Sequence, residues 1–420
     1  MSEQTVTRAR FSISAGDRRI LRELAKQVAE LSARPIEQEK RELWYRHNAL
    51  EPTRPLVFCD PENGWNEIIT PNTLRCEGGL ARGWEWHLRR EIFWGAQMQD
   101  DKVIEPYFSV GHVYTETDWG LRETRIGGQD GGAWRWEAPL KSYDDMHQLR
   151  FPQITVDYEA TEAVLQLAQE TFGDILTVRL KTGWWWSFGM TQMLVYLRGL
   201  EQIMYDMVDN PDGVHALMGF LRDGHMARLD FLERHGLLFL NNDGTYVGSG
   251  GFGWTHELPQ PDFKGHVRPI DMWGFAESQE TVGISPEMFE EFIFPYQLSL
   301  IERFGLNCYG CCEPLDSRWH VVEKFPRLRR VSMSPWVNVE IMAERLGNRY
   351  IFSWKPHPGV LAADTFDEEL VRQKLRWGLQ VLKKNDCRVE IIMKDCHTIR
   401  NDPQRVIRWV QIAKEEAESV

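Results

Sequence analysis

A (β/α)8 barrel preceded by a helical extension is the fold class that this 420-residue sequence predicts, on three observations. Short apolar, β-branched runs recur along the chain, amphipathic segments of helical period separate most of them, and no low-complexity linker or internal repeat breaks the alternation. Parallel neighbours need crossover connections, so a strand-then-helix pattern repeated eight times points to a parallel barrel.

Residues 1–50 are charged and helical in pattern, as in "DRRILRELAKQVAELSA" and "PIEQEKRELWYRHNAL", where apolar side chains recur at three and four. They form the extension, and residues 51–420 form the barrel. The eight strand candidates are "PLVFCD" from 55, "VIEPYFSV" from 103, "ILTVRL" from 175, "LLFLNN" from 237, "LNCYG" from 306, "LRRVSMS" from 328, "YIFSWK" from 350 and "VEIIMKD" from 389. Helical segments such as "TEAVLQLAQETFG" and "DEELVRQKLRWGLQVLKKN" lie between them.

Composition excludes several classes. The 62 acidic and 49 basic residues leave a net charge of -13, which repels phosphate backbones, and no basic stripe offsets it. No window reaches the roughly 18 consecutive apolar residues of a membrane span. Seven sparse cysteines, an odd number, and the lack of an apolar signal core near the start suggest a cytoplasmic protein with reduced thiols.

Barrel chemistry sits at the carboxyl ends of the strands. Three of the seven cysteines, Cys308, Cys311 and Cys312, fall at one such end, in "GLNCYGCCEPLDSRW". Thiolates are zinc ligands or nucleophiles, and Cys396 with His397 at the last strand end could complete the site. Candidate metal ligands are therefore Cys311, Cys312, Cys396 and His397, with Cys311 and Cys396 meeting across the mouth. Candidate catalytic residues are Tyr309, Glu313, Lys355, Lys394 and Asp395. Of the tryptophan run 184–186 at least one ring should line a pocket, and Trp185, Asn242, Trp273, Glu277 and Gln279 are the substrate-binding candidates. Trp273, Glu277 and Gln279 belong to a long connection from Asn242 to about Ser285, expected to form a lid. Within it "GSGGFG" matches a dinucleotide fingerprint, but the prolines of "WTHELPQPDF" forbid the helix that would hold a pyrophosphate.

The succession "GWWWSFGMTQMLVYLRGLEQIMYDMVDNPDGVHALMGFLRD", "WGFAESQETVGISPEMFEEFIFPYQLSLIERFGL", the cysteine-bearing strand and "DPQRVIRWVQIAKE" resembles the uroporphyrinogen decarboxylase superfamily over roughly residues 100 to 415. The haem-pathway branch carries arginines that "VFCDPENGWNEI" lacks, so the resemblance leans to the corrinoid-dependent methyltransferase and O-demethylase branch. That branch has H-x-C-G at one strand end. Here Tyr309 or Asn307 stands in place of the histidine, Cys311 matches the first thiolate and Cys396 the second, while the third ligand must come from Cys312, Glu313, His397 or elsewhere. The resemblance implies methyl transfer between a small, methoxylated substrate and cobalamin carried by a separate protein, with zinc as Lewis acid. The partners it suggests are the substrate, the corrinoid protein and a second copy in a homodimer. Two other readings stand beside it: a metal-free decarboxylase or lyase in which Lys355 and Lys394 hold a carboxylate and Asp395 or Asp60 manages the proton, and a non-catalytic ligand-binding barrel.

Overall fold

Ser14 accepts a hydrogen bond from Asp17 N at 3.0 Å and so starts the helix Ala15–Ser32, whose Leu21, Leu24, Ala25 and Val28 share one buried face. A proline in the first turn opens the next helix, Pro35–Asn48. The computed structural model describes residues 11–128 and 134–420, so the first ten residues of the expected extension lie outside the described residues.

Among the described residues eight parallel strands follow: β1 (Leu56–Cys59), β2 (Tyr107–Val110), β3 (Thr177–Leu180), β4 (Trp273–Ala276), β5 (Leu306–Tyr309), β6 (Leu328–Met333), β7 (Ile351–Trp354) and β8 (Arg388–Met393). Six of them form one sheet in the order β1-β8-β7-β6-β5-β4, and β2 pairs with β3 separately. Most crossovers contain helices that cover the sheet, as Glu368–Lys384 does between β7 and β8. β1, β4, β5 and β7 are buried at every position, as expected where both faces of a parallel sheet are covered.

The structure shows an α/β fold with a parallel central sheet, and among the described residues no strand ladder joins β1 to β2 or β3 to β4 to close the expected barrel. Side chains occupy both gaps. Asp101 and Asp100 accept from the backbone N–H groups of Val57 at 2.7 Å and Cys59 at 3.0 Å, which satisfies donors of β1. Asn241 accepts from Trp273 N at 2.8 Å and donates to Trp273 O at 3.0 Å, copying a strand partner with its amide. The segment 237–242, expected as the fourth strand, forms no ladder, and "WGFA" in the expected lid supplies β4 instead.

The lid is corrected in its other half as well. Residues 247–255 are buried and fill the space inside the sheet, with Gly248, Gly250 and Gly251 at φ of 71°, 143° and 86°. These glycines are needed for closeness as well as conformation: a Cβ on Gly251 would sit 2.7 Å from Glu390 Oε1, and one on Gly250 would sit 2.8 Å from Ile392. Asn48 donates to Phe252 O at 2.9 Å and Trp254 O at 2.7 Å, tying the N-terminal helices to this plug. Beneath it, Arg330 of β6 and Glu390 of β8 form an ion contact of 2.9 Å, and His47 adds a second contact to Glu390 at 3.2 Å. No helix among the described residues is long and apolar enough to cross a membrane.

Candidate active site

The carboxyl ends of β5, β7 and β8 bring a thiol and two lysines together over the plug. After β5 the chain turns at Gly310, whose φ of 92° and proximity to Leu315 favour glycine, and this turn carries Cys311 inward. Glu313 fixes the turn by accepting from Cys311 N at 2.9 Å and Ser278 N at 2.8 Å. Ser249 of the plug donates to Cys311 Sγ at 3.1 Å, and the Cys311 and Cys312 sulfurs are 3.6 Å apart.

The lysines follow directly. Lys394, the residue after β8, donates to Ser249 Oγ at 3.3 Å and faces Glu62 Oε1 at 3.3 Å and Asp395 Oδ1 at 3.5 Å. Asp395 adopts φ 58°, a left-handed turn that ends β8. Lys355, after β7, is buried and donates to Ser332 Oγ, which in turn donates to Cys311 O at 3.1 Å.

Electrostatics divide these groups. The hydrogen bond from Cys312, with the charges of Lys394 and Lys355 and the Ser249 hydroxyl, lowers the Cys311 thiol below its ordinary value despite burial. Donating to Cys311, together with burial, raises the Cys312 thiol. Burial and the neighbouring Lys394 charge bring Lys355 down to about 8. Lys394 moves the other way: burial opposes its charge, but Tyr246, Cys311, Asp395 and Glu62 raise it. Burial, with the charges of Glu280 and Glu313, pushes the Glu277 carboxyl, at the end of β4, well above its ordinary value.

The sequence candidates separate. Cys311, Cys312, Lys355, Lys394 and Asp395 converge. Cys396 is buried, its thiol 3.7 Å from Lys394 O and raised by burial and the Glu62, Asp395 and Asp60 carboxylates, and it acts in turn on the ionisation of Cys59 of β1. His397 is an exposed turn residue near Glu67. Tyr309 is buried, donates to Gln297 Oε1 at 3.0 Å and stacks on Phe325, so it supports the strand end from below. Trp185 and Trp273 line a cavity of about 130 Å³ that also reaches Tyr246 and Gly248. Asn242 donates to Leu258 O at 2.7 Å and belongs to the loop beside it. Glu277 accepts from Ser187 Oγ at 3.1 Å and Gln279 N at 3.0 Å, while the Gln279 amide meets Glu280.

A zinc site needs donors within about 4 Å of one another around one ion. The Cys311–Cys312 pair meets that condition and Asp395 Oδ2 lies 3.9 Å from Cys312 Sγ, yet among the described residues no group of three or more His, Cys, Asp or Glu side chains is arranged to hold a metal ion. The two ammonium groups beside Cys311 supply the positive charge that a metal would bring to its sulfur. The expected ligand set therefore does not fit zinc. Ser249 and Ser332, absent from the candidates, hold the thiol and Lys355. Their signal was the glycine run around Ser249, which marks a close backbone approach, and the position of Ser332 facing inward from β6.

No protein-family model matches the chain, and no curated protein matches it. Solved structures similar to it include a methyltransferase from Methanosarcina mazei, at 10% identity and a TM-score of 0.47, covering 90% of this chain and 97% of that one.

Proposed function

We propose that the chain is a metal-free lyase acting on a small carboxylate substrate, with Cys311 as the base that takes a proton from the carbon next to the carboxylate. The observation that carries this reading is the Ser249 hydroxyl at 3.1 Å from the Cys311 sulfur, in a site where the Cys312 hydrogen bond and the Lys394 and Lys355 charges lower that thiol below its ordinary value. The substrate carboxylate takes its place between the two ammonium groups. When Cys311 removes the adjacent proton, negative charge moves onto the carboxylate oxygens, where Lys355 and Lys394 stabilise it. The same two charges would hold a carboxylate back from leaving as carbon dioxide, which favours elimination over decarboxylation. Cys312, kept protonated 3.6 Å from Cys311, can return a proton to the leaving group.

Methyl transfer within the uroporphyrinogen decarboxylase superfamily, with a separate corrinoid protein as partner, is the second reading. The Cys311–Cys312 spacing of 3.6 Å favours it, since two sulfurs on one ion would stand at a similar distance. Metal analysis and solvent exchange separate the two. The lyase reading expects protein purified without chelators to carry no stoichiometric zinc and to exchange the α-hydrogen of bound short carboxylates with deuterated water, detected by NMR. About one zinc per chain, bound through Cys311 and Cys312, would overturn it in favour of methyl transfer.

A further inference from the structure

Beside β1 and β2 lies a second cavity of about 370 Å³, walled by Phe58, Asp60, Arg90, Lys102, Arg179 and Tyr246 among others. It borders the lysine site. Tyr246 and Asp60 line it, and the Tyr246 phenol and Lys394 act on each other's ionisation.

Most charges on its wall are already matched. Lys102 is paired with Glu91, and Arg179 and Lys181 share Asp243 at 3.0 and 2.8 Å. Asp60 accepts from Trp65 Nε1 at 2.7 Å and from Glu62 N at 3.1 Å. Glu105 is pushed toward its protonated form by burial and by Asp243. Arg90 differs from all of these. Its guanidinium carbon lies 4.8 Å from the ring centres of Trp86 and Trp94 and 5.7 Å from that of Trp65. Its Nε is buried with no hydrogen-bond partner, and among the described residues no carboxylate pairs with this side chain. Three indole faces stabilise a cation and fix its plane, but they supply no acceptor for its N–H groups. A guanidinium held in this way presents a fork that fits a carboxylate with two parallel bonds.

We infer that this cavity is a second anion site, which takes the distal carboxylate of a dicarboxylic substrate and uses Arg90 as its anchor. The inference rests on the reading of Lys355 and Lys394 as holders of the first carboxylate. The apolar wall at Phe58 then covers the carbon chain between the two ends, and the cavity excludes substrates with a single charge by leaving Arg90 unmatched.

The test is titration of the full chain with the straight-chain dicarboxylates from succinate to pimelate and with the monocarboxylates of equal length, followed by tryptophan fluorescence and calorimetry. One dicarboxylate should bind at least about tenfold more tightly than its monocarboxylate partner, as expected for one added bidentate charged contact. Arg90→Gln should erase that margin while leaving monocarboxylate affinity alone, and Arg90→Lys, which keeps the charge without the fork, should retain part of it. Lys394→Met should weaken both classes of ligand. A margin that survives in Arg90→Gln, or that never appears in the parent protein, overturns the second site whatever Lys394→Met does. Loss of the margin in Arg90→Gln with no effect of Lys394→Met upholds the Arg90 site and overturns the lysine reading. If Arg90→Gln does not fold, Arg90→Lys decides: an undiminished margin rejects the fork.

Discussion

Ser249 donates its hydroxyl to the Cys311 sulfur at 3.1 Å across 62 positions of sequence, so a residue of the buried plug helps to lower a strand-end thiol. Ser249→Ala should raise the Cys311 thiol pKa and slow its alkylation by iodoacetamide at pH 7.5. One hydrogen bond of ordinary net strength predicts a slowing of about two- to tenfold. Peptide mapping by mass spectrometry at timed quenches follows Cys311 alone, and an unchanged rate would remove Ser249 from the site.

Lys355 gives the site a pH limit. Its ammonium is lost as pH rises through about 8, so affinity for a carboxylate probe should fall above that pH and the fall should vanish in Lys355→Met. The stability effect has the opposite sign. Between about 8 and the ordinary lysine value of 10.5 the unfolded chain holds a proton that the folded chain has released. Stability therefore rises with pH over that window relative to Lys355→Met, which melting curves at pH 8 and pH 10 will show.

The buried pair of Arg330 and Glu390 answers to acid. Arg330 and His47 hold Glu390 down at about 2 against the effect of burial, so its contribution is fully present above the ordinary value of 4.5 and is lost as pH falls toward 2. Glu390→Gln strands a buried guanidinium and should cost roughly 3–5 kcal/mol at neutral pH in urea denaturation. A change below about 1 kcal/mol would mean that water reaches Arg330.

Gly251→Ala tests the plug. The substitution forces a Cβ into a left-handed backbone at φ 86° and within 2.7 Å of Glu390. It should destabilise the fold by about 1–3 kcal/mol or more and displace Ser249, so that Cys311 alkylation slows together with the loss of stability.

The sequence made most of the parallel strands legible because a strand covered on both faces is apolar throughout, as "YIFSWK" and "VEIIMKD" are. β4 was hidden. "WGFA" is four residues long, has no β-branched side chain and sits in a connection rich in glycine and proline. "LLFLNN" has strand composition yet pairs with nothing, since Asn241 already meets the Trp273 backbone with its side chain. The strand-end rule named Cys311, Cys312, Lys355, Lys394 and Asp395, which the structure brings near one another. It could not tell that a left-handed turn at Asp395 stands between Lys394 and Cys396 and that Cys396 shares its surroundings with Cys59 of β1. Arg90 gave no signal either, because its aromatic setting is assembled from Trp65, Trp86 and Trp94, whose meeting depends on packing the short helix Trp65–Ile68 against the helix Gly79–Phe93 and the turn that continues it.

The contacts of His47 and Asn48 also govern the timing of biosynthesis. Asn48 reaches Arg330 across 282 residues and His47 reaches Glu390 across 343, so a ribosome delivers the N-terminal helices long before their buried partners exist. During translation these helices can pack first on the helix Gly79–Phe93 and on Asp101, which Trp44 Nε1 reaches at 2.7 Å, while Arg330 emerges as a cation without its carboxylate. Closure of the centre waits for β8, so the ion contacts of Arg330 and His47 with Glu390 are among the last the chain can make.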